Sequence, residues 1–273
     1  MDHSAERQWF HWSNFFSIES DHPLSGRLKD VSRVWEIPER LISWINDSIR
    51  PNVKNLIAKG GFIREPTAMY DGQPIHGIEY ILDGKDGIFQ VWHGDVFLAG
   101  ATLLMPGVTI CDERVEIGPG VLVESGAMLK GPTILGADTQ IRQGAYVRGG
   151  VFTGEYCLIG HATEVKNSLL LDRAKAGHFA YIGDSVLGRK VNLGAGTKLA
   201  NLKLNDNPFR YRHQGELIEV AARKMGAVLG DGVVTGCNSV TNPGTLLGPN
   251  SRIMPNITAG GGYFPADSEI GGR

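Results

Sequence analysis

Cysteine is scarce in this chain. Cys111, Cys157 and Cys237 lie far apart, are odd in number and have no CxxC spacing, which argues against a disulfide framework or a structural zinc site and points to a reducing compartment. Neither sign of charge dominates: Lys+Arg 27 against Asp+Glu 29 leaves a net charge of -2. No global field therefore draws the protein to nucleic acid or lipid headgroups, and any anion site must be local. Long apolar runs are missing too. The stretch MDHSAERQWFHWSNFF mixes acidic residues with its aromatics and fits neither a signal peptide nor a membrane span. The expectation is a soluble cytoplasmic protein without nucleic-acid or membrane partners. What is plentiful is glycine, 37 of 273 residues, well above the usual share of ~7%.

Residues 1–98 read as a helical and hairpin segment. In SRVWEIPERLISWINDSI, Val34, Ile37, Leu41, Ile45 and Ile49 recur at helical steps; Pro38 suits a first turn and Pro51 closes the helix. PNVKNLIAKGG predicts a shorter helix stopping at Gly60-Gly61. GIEYILDGKDGIFQVWHGDVFLAG predicts two strands around the DGKDG turn. This part carries no recognisable chemistry and reads as a packing cap or an oligomer contact.

From Ala99 the chain counts in sixes. Ala99, Met105, Cys111, Ile117, Val123, Leu129, Leu135, Ile141, Val147, Thr153, Ile159 and Val165 share one register, apolar apart from Thr153. A second register runs through Leu229, Thr235, Thr241, Leu247 and Ile253. Period six with a turn-tolerant residue after the inward one is the signature of a hexapeptide β-helix, three hexapeptides to a triangular coil. Glycine is frequent because the chain must turn at each corner. The predicted fold is mainly β: a left-handed parallel β-helix over 99–262, with an inserted loop at 203–226 and a tail at 263–273. On this reading Cys111 and Cys157 are core residues.

Coil geometry stacks residues eighteen apart. Lys130, Arg148 and Lys166, each one step past an inward residue, therefore form a basic column, and like charges on adjacent strands repel unless an anion or neighbouring carboxylates relieve them. Glu164 is one such carboxylate; a phosphate-sized ligand is the other reading. The register then breaks. Leu171 and Ile182 are eleven apart and Leu187 follows five later, with His178 inside the break and Asn192 and Asn201 beyond it. The insertion KLNDNPFRYRHQGELIEVAARKMG brings Arg210, Arg212 and Lys224, as a binding loop would. A lone histidine is more often structural, so spacing alone leaves His178 open between a general base and a packing residue.

The stretch YVRGGVFTGEYCLIGHATEVKNSLLLDRAKAGHFAYIGDSVLGRKVNLGAGTKLAN resembles the left-handed β-helix acetyltransferase domain of the bifunctional glucosamine-1-phosphate acetyltransferase/N-acetylglucosamine-1-phosphate uridylyltransferase family, and the C-terminal domains of sugar-1-phosphate nucleotidyltransferase-like proteins. The resemblance implies that His178 in KAGHFAYIGD is a general base and that Arg148 and Lys166 bind phosphate and sugar. It implies that Tyr181, Asn192 and Asn201, with Glu164 beside them, line an amino-sugar pocket, and that Ala195 and Cys237 meet the pantetheine arm of coenzyme A. It further implies an acetyl-CoA-dependent N-acyltransferase for an amino-sugar phosphate or nucleotide-linked amino sugar, a homotrimer, and no metal. The chain departs from the family after Asn201, where LKLNDNPFRYR replaces a Tyr-Asp-Gly stretch and a substrate lysine, leaving Lys203, Arg210 or Arg212 as replacements, and at the C-terminus, where a basic tail is lacking. No GxGxR nucleotide loop occurs in residues 1–98, so nucleotidyl transfer is not expected. The alternative from another class is a non-catalytic hexapeptide module that binds sugar phosphates or mediates oligomerisation.

Overall fold

The computed structural model describes residues 9–20, 22–83, 87–213 and 215–272. Short strands stack in parallel into three faces of a β-helix, two sheets of 8 strands and one of 11. The first face runs from Thr102–Leu104 to Glu269–Ile270, the second from Thr109–Ile110 to Thr258–Ala259, the third from Val115–Ile117 to Gly262–Phe264. The coils thus continue into the segment expected to be a tail. The inward residues Ile117, Val123, Leu129, Leu135, Ile141, Val147, Ile159 and Val165 form one continuous buried core, and burying such side chains contributes ~1.5–3 kcal/mol each. At the first end, Thr67–Tyr70 pairs antiparallel with Thr102–Leu104 and with Gln73–Ile75, a hairpin that the sequence reading missed. Among the described residues no helix is long and apolar enough to cross a membrane.

The corners explain the glycine. Many turn through a left-handed residue: Gly126, Gly144 and Gly196 between the first and second faces, but also Asp138, Tyr156 and Arg173 between the third and first. Asn and Asp tolerate this conformation, whereas a bulky residue there is uncommon.

Three expectations are corrected. Cys111 is exposed, Ala99 is exposed and Met105 is half-buried, because Leu104 and Ile110 point inward and the step from Ile110 to Ile117 is seven residues. Leu170, not Leu171, continues the inward register after Val165; Leu171 is buried on the outside against the aromatic N-terminal segment, so apolar character alone could not separate them. His178 therefore lies outside the shortened turn. Val165 to Leu170 and Ile182 to Leu187 are the two five-residue steps, and the register between coils drops to seventeen, as in Thr153 to Leu170 and Ile182 to Leu199. Third, the inserted loop at 203–226 holds a two-stranded hairpin. Its hairpin, Phe209–His213 with Glu216–Val220, turns Phe209, Tyr211 and Ile218 into a cluster with Phe10, Trp35 and Val186, while Arg210 pairs with Glu219 at 2.7 Å on the exposed side and Arg212 is exposed. Strand alternation assigns the two sides.

Every departure from the six-residue step sits at the corner between the second and third faces: the long step after Ile110, the short ones after Val165, Ile182 and Ala259, and the insertion after Leu199. The third face is clothed by the helix Glu36–Ser48, residues 10–20 and 22–35 and the inserted hairpin. Part of the first face is covered by the sheet Glu79–Asp83, Ile88–His93 and Val96–Phe97; of the expected turn between its first two strands, residues 84–86 lie outside the described residues. The second face keeps its outward side chains half-buried or exposed.

Cys157 is buried, its thiol donating to the Leu171 carbonyl at 3.2 Å, and burial pushes its pKa up to about 12. Since the thiolate is the reactive species, an aromatic disulfide reagent at pH 8 is expected to titrate Cys111 and Cys237 in the folded protein and Cys157 after denaturation. Three rapidly reacting thiols would contradict this packing.

Candidate functional site

Two columns of side chains run along the uncovered second face. Tyr146, Glu164, Tyr181 and Lys198 stand in register in one. Lys130, Arg148 and Lys166 follow one residue after Leu129, Val147 and Val165, which are themselves in register. The basic column predicted from spacing therefore exists, and its charge is largely met within the chain. Arg148 Nη1 lies 2.6 Å from Glu164 Oε1, and Lys166 Nζ lies 3.2 Å from Asp184 Oδ2. Lys130 Nζ sits 5.2 Å from the Tyr146 ring centroid, and the Tyr146 hydroxyl is the main cause of its raised proton affinity.

Asp184 is a hub that the sequence reading did not find. Besides Lys166, its carboxylate accepts from Asn167 Nδ2 at 2.8 Å and from Asn201 Nδ2. The Tyr181 hydroxyl donates to Asn201 Oδ1 at 3.3 Å. Gly183 leaves room for this cluster, because a Cβ there would stand 2.7 Å from the Tyr181 hydroxyl oxygen and 2.9 Å from Asn201 Nδ2. Asn167 and Asp184 both turn the shortened corner at positive φ, 42° and 48°. Asx residues seventeen apart after a Lys or a Gly were the available signal.

His178 stands at the opposite edge of the same face, three residues before Tyr181. Its side chain is exposed and its ring stacks on that of His161, centroids 5.7 Å apart and planes 19° apart. Ala195 and Cys237 follow it up this edge, linked by ladder bonds from Gly196 N to His178 O and from Asn238 N to Ala195 O. Asn192 lies on the first face between Lys175 and Val234. One copy of the chain thus gathers Arg148, Glu164, Lys166 and Tyr181 on the second face, Asn201 buried at its corner with the third, and His178, Ala195 and Cys237 along the opposite edge, with Asn192 around that corner. Lys203, a candidate replacement cation, is spent inside the insertion: its ammonium donates to the Pro208 carbonyl at 3.0 Å and lies over the Phe209 ring.

Residues 129–262 match the family model described as the GMPPB C-terminal domain. The bifunctional sugar-1-phosphate nucleotidylyltransferase/acetyltransferase of Sulfurisphaera tokodaii is 36% identical over 151 residues, 49% of this chain and 38% of that protein. The bifunctional protein GlmU of Synechococcus elongatus is 30% identical over 228 residues, 69% of this chain and 46% of that protein. These matches fit a hexapeptide-repeat acetyltransferase domain of the GlmU type. This hexapeptide-repeat domain also matches the solved UDP-N-acetylglucosamine acyltransferase of Francisella novicida at 14% identity and a TM-score of 0.41, over 56% of this chain and 55% of that one. The chain spans less than half the length of these two curated relatives.

Proposed function

We propose that this chain is an acyl-CoA-dependent N-acyltransferase, in the first instance an acetyltransferase, for an amino-sugar phosphate or nucleotide-linked amino sugar. The observation that carries this reading is an exposed imidazole, His178, at the edge of an uncovered polar face on which Tyr181, Asn201, Glu164 and Arg148 are already fixed by hydrogen bonds and ion pairs. The thioester brings an activated acyl group, so the protein has to position the amine, take one proton and stabilise an oxyanion. The sugar nitrogen attacks the thioester carbonyl, the C–S bond breaks, coenzyme A leaves as its thiol, and the amine proton passes to His178.

The carboxylate of Glu164, held in place by its ion pair with Arg148, is placed to hold the sugar amine or a hydroxyl, and Asn201 offers a side-chain amide fixed by Asp184. Because Glu164 and Asp184 already answer Arg148 and Lys166, an anionic group on the substrate is read from the Lys130 end of the column, where no carboxylate partner is formed among the described residues. Ala195 and Cys237 mark the edge along which coenzyme A would lie. A homotrimer fits this division, since a neighbouring copy at the bare second face would add its own edge to the site. The name of the Sulfurisphaera relative attributes acetyltransferase activity to that protein and supports the same chemistry here.

The test is calorimetry of acetyl-CoA and of amino-sugar phosphates with the purified protein, followed by a coenzyme A thiol-release assay with both present. Binding of both and release of thiol is the expected result. Sugar-phosphate binding without acetyl-CoA binding or thiol release would replace this reading with a non-catalytic sugar-phosphate module.

A further inference from the structure

The main chain around His178 is fixed on both sides. Before it, Lys175 and Ala176 pair with Leu158 and Ile159 on one side and with Asn192 and Leu193 on the other. After it, Phe179 turns the corner at φ 34° with its N–H on the His161 carbonyl at 2.7 Å, and the His178 carbonyl accepts from Gly196 N at 3.1 Å. A left-handed phenylalanine is a costly conformation that persists when its surroundings over-determine it. The side chain is different. Among the described residues the His178 ring has no hydrogen bond or ion pair, and its ring contact is with His161. His161 and His178 are register partners in adjacent coils, and the coils close tightly beside them: a Cβ at Gly160 would lie 1.8 Å from the Gly177 carbonyl oxygen. Among the described residues no group of three His, Cys, Asp or Glu side chains gathers to hold a metal ion.

We infer that His161 is a positioning residue for His178, its imidazole serving as the surface against which the base lies so that one ring plane is presented at the edge of the second face. The inference rests on the reading of His178 as the general base. An exposed histidine whose main chain is rigid still rotates about two side-chain bonds, and a base that samples several ring orientations spends part of its time with its nitrogen turned from the amine. A half-buried ring one coil away, nearly parallel to it, removes much of that freedom. Since the contact is made by a ring face, an aromatic side chain without nitrogens can replace it.

The experiment uses the full chain and the variants His161→Ala and His161→Phe, each checked by thermal melting. In histidine-labelled protein, the His178 ring signal is assigned by its loss in His178→Ala, and carbon relaxation then measures the order of that ring without any turnover. His161→Ala is expected to lower the ring order and to reduce kcat about ten- to a hundredfold, the scale on which misplacement of a catalytic group acts, with KM within about twofold of the parent. His161→Phe is expected to restore the ring order and most of kcat. Unchanged ring order in His161→Ala, or a loss in His161→Phe as large as in His161→Ala, overturns the inference. A parent protein without acetyl transfer removes the reading of the base, while the relaxation arm still decides whether His161 holds the ring.

Discussion

Replacing His178 with alanine is expected to lower acetyl transfer by roughly 10²–10⁴-fold, the range spanned by loss of a general acid or base, while leaving folding and ligand affinity intact. The physical case lies in what the side chain does not do. It is exposed, with no hydrogen bond or ion pair among the described residues to support the coil, and the ladder on either side of it is made by main-chain groups that alanine retains. A substitution at such a place ordinarily changes stability by less than ~0.5 kcal/mol. Rate and stability should therefore separate: single-turnover acetyl transfer falls by orders of magnitude, and the melting curve and the acetyl-CoA isotherm superimpose on those of the parent. Equal turnover in parent and variant would eliminate the base assignment.

The second large effect is expected at Asp184. Its carboxylate is the common acceptor for Lys166, Asn167 and Asn201, and the Lys166–Asp184 pair is mostly withdrawn from solvent, with side-chain exposures of 22% and 12%. Asp184→Ala strands an ammonium group and two amide donors at once. Breaking a buried pair from one side costs about 3–5 kcal/mol; partial exposure of this pair lowers the expected loss to about 2–4 kcal/mol. Denaturant unfolding measures it. Adding Lys166→Met to Asp184→Ala should recover part of the loss, because the stranded charge is then gone, and the double-mutant cycle should give a coupling well outside additivity. Strictly additive losses would mean that the carboxylate stabilises this corner through the two asparagines alone. Asn201 loses its anchor as well, so KM for the sugar should rise in Asp184→Ala at temperatures where the protein stays folded.

Much of the β-helix was legible because its repeat has one consequence per position. From Ile117 to Val165 a residue that points inward must be small enough to share the prism and apolar enough to be dry, and that constraint repeats at every sixth position. Legibility failed where a second surface imposed the same chemistry. Leu171 is apolar because the N-terminal aromatic segment covers the third face, and it was mistaken for its neighbour Leu170. The packing of the insertion was hidden for the same reason: the alternate residues Phe209 and Tyr211 have partners sixty residues or more outside the repeats, in Phe10 and Trp35. Of the candidate site, the vertical column Lys130, Arg148, Lys166 could be read from spacing of eighteen. Asp184 could not, because it sits where the coil has shortened to seventeen and the arithmetic that found the column no longer applies. His161 and His178 are seventeen apart in the sequence, and the shortened turn between them puts the two in register.

The placement of every irregular step at the corner between the second and third faces makes that corner a seam. The other two corners keep six residues from one inward side chain to the next through every coil, so the vertical stack is threaded by two invariant edges and closed by one adjustable edge. A chain built this way can gain or lose residues at the seam, from one fewer to the length of a whole hairpin, and rejoin the next strand in register. The seam also passes directly beside Asn167, Asp184 and Asn201. Length variation at that edge can therefore reshape what stands next to the second face without moving the edge that carries His178, so that selectivity for a ligand and placement of the base are mechanically independent in this architecture.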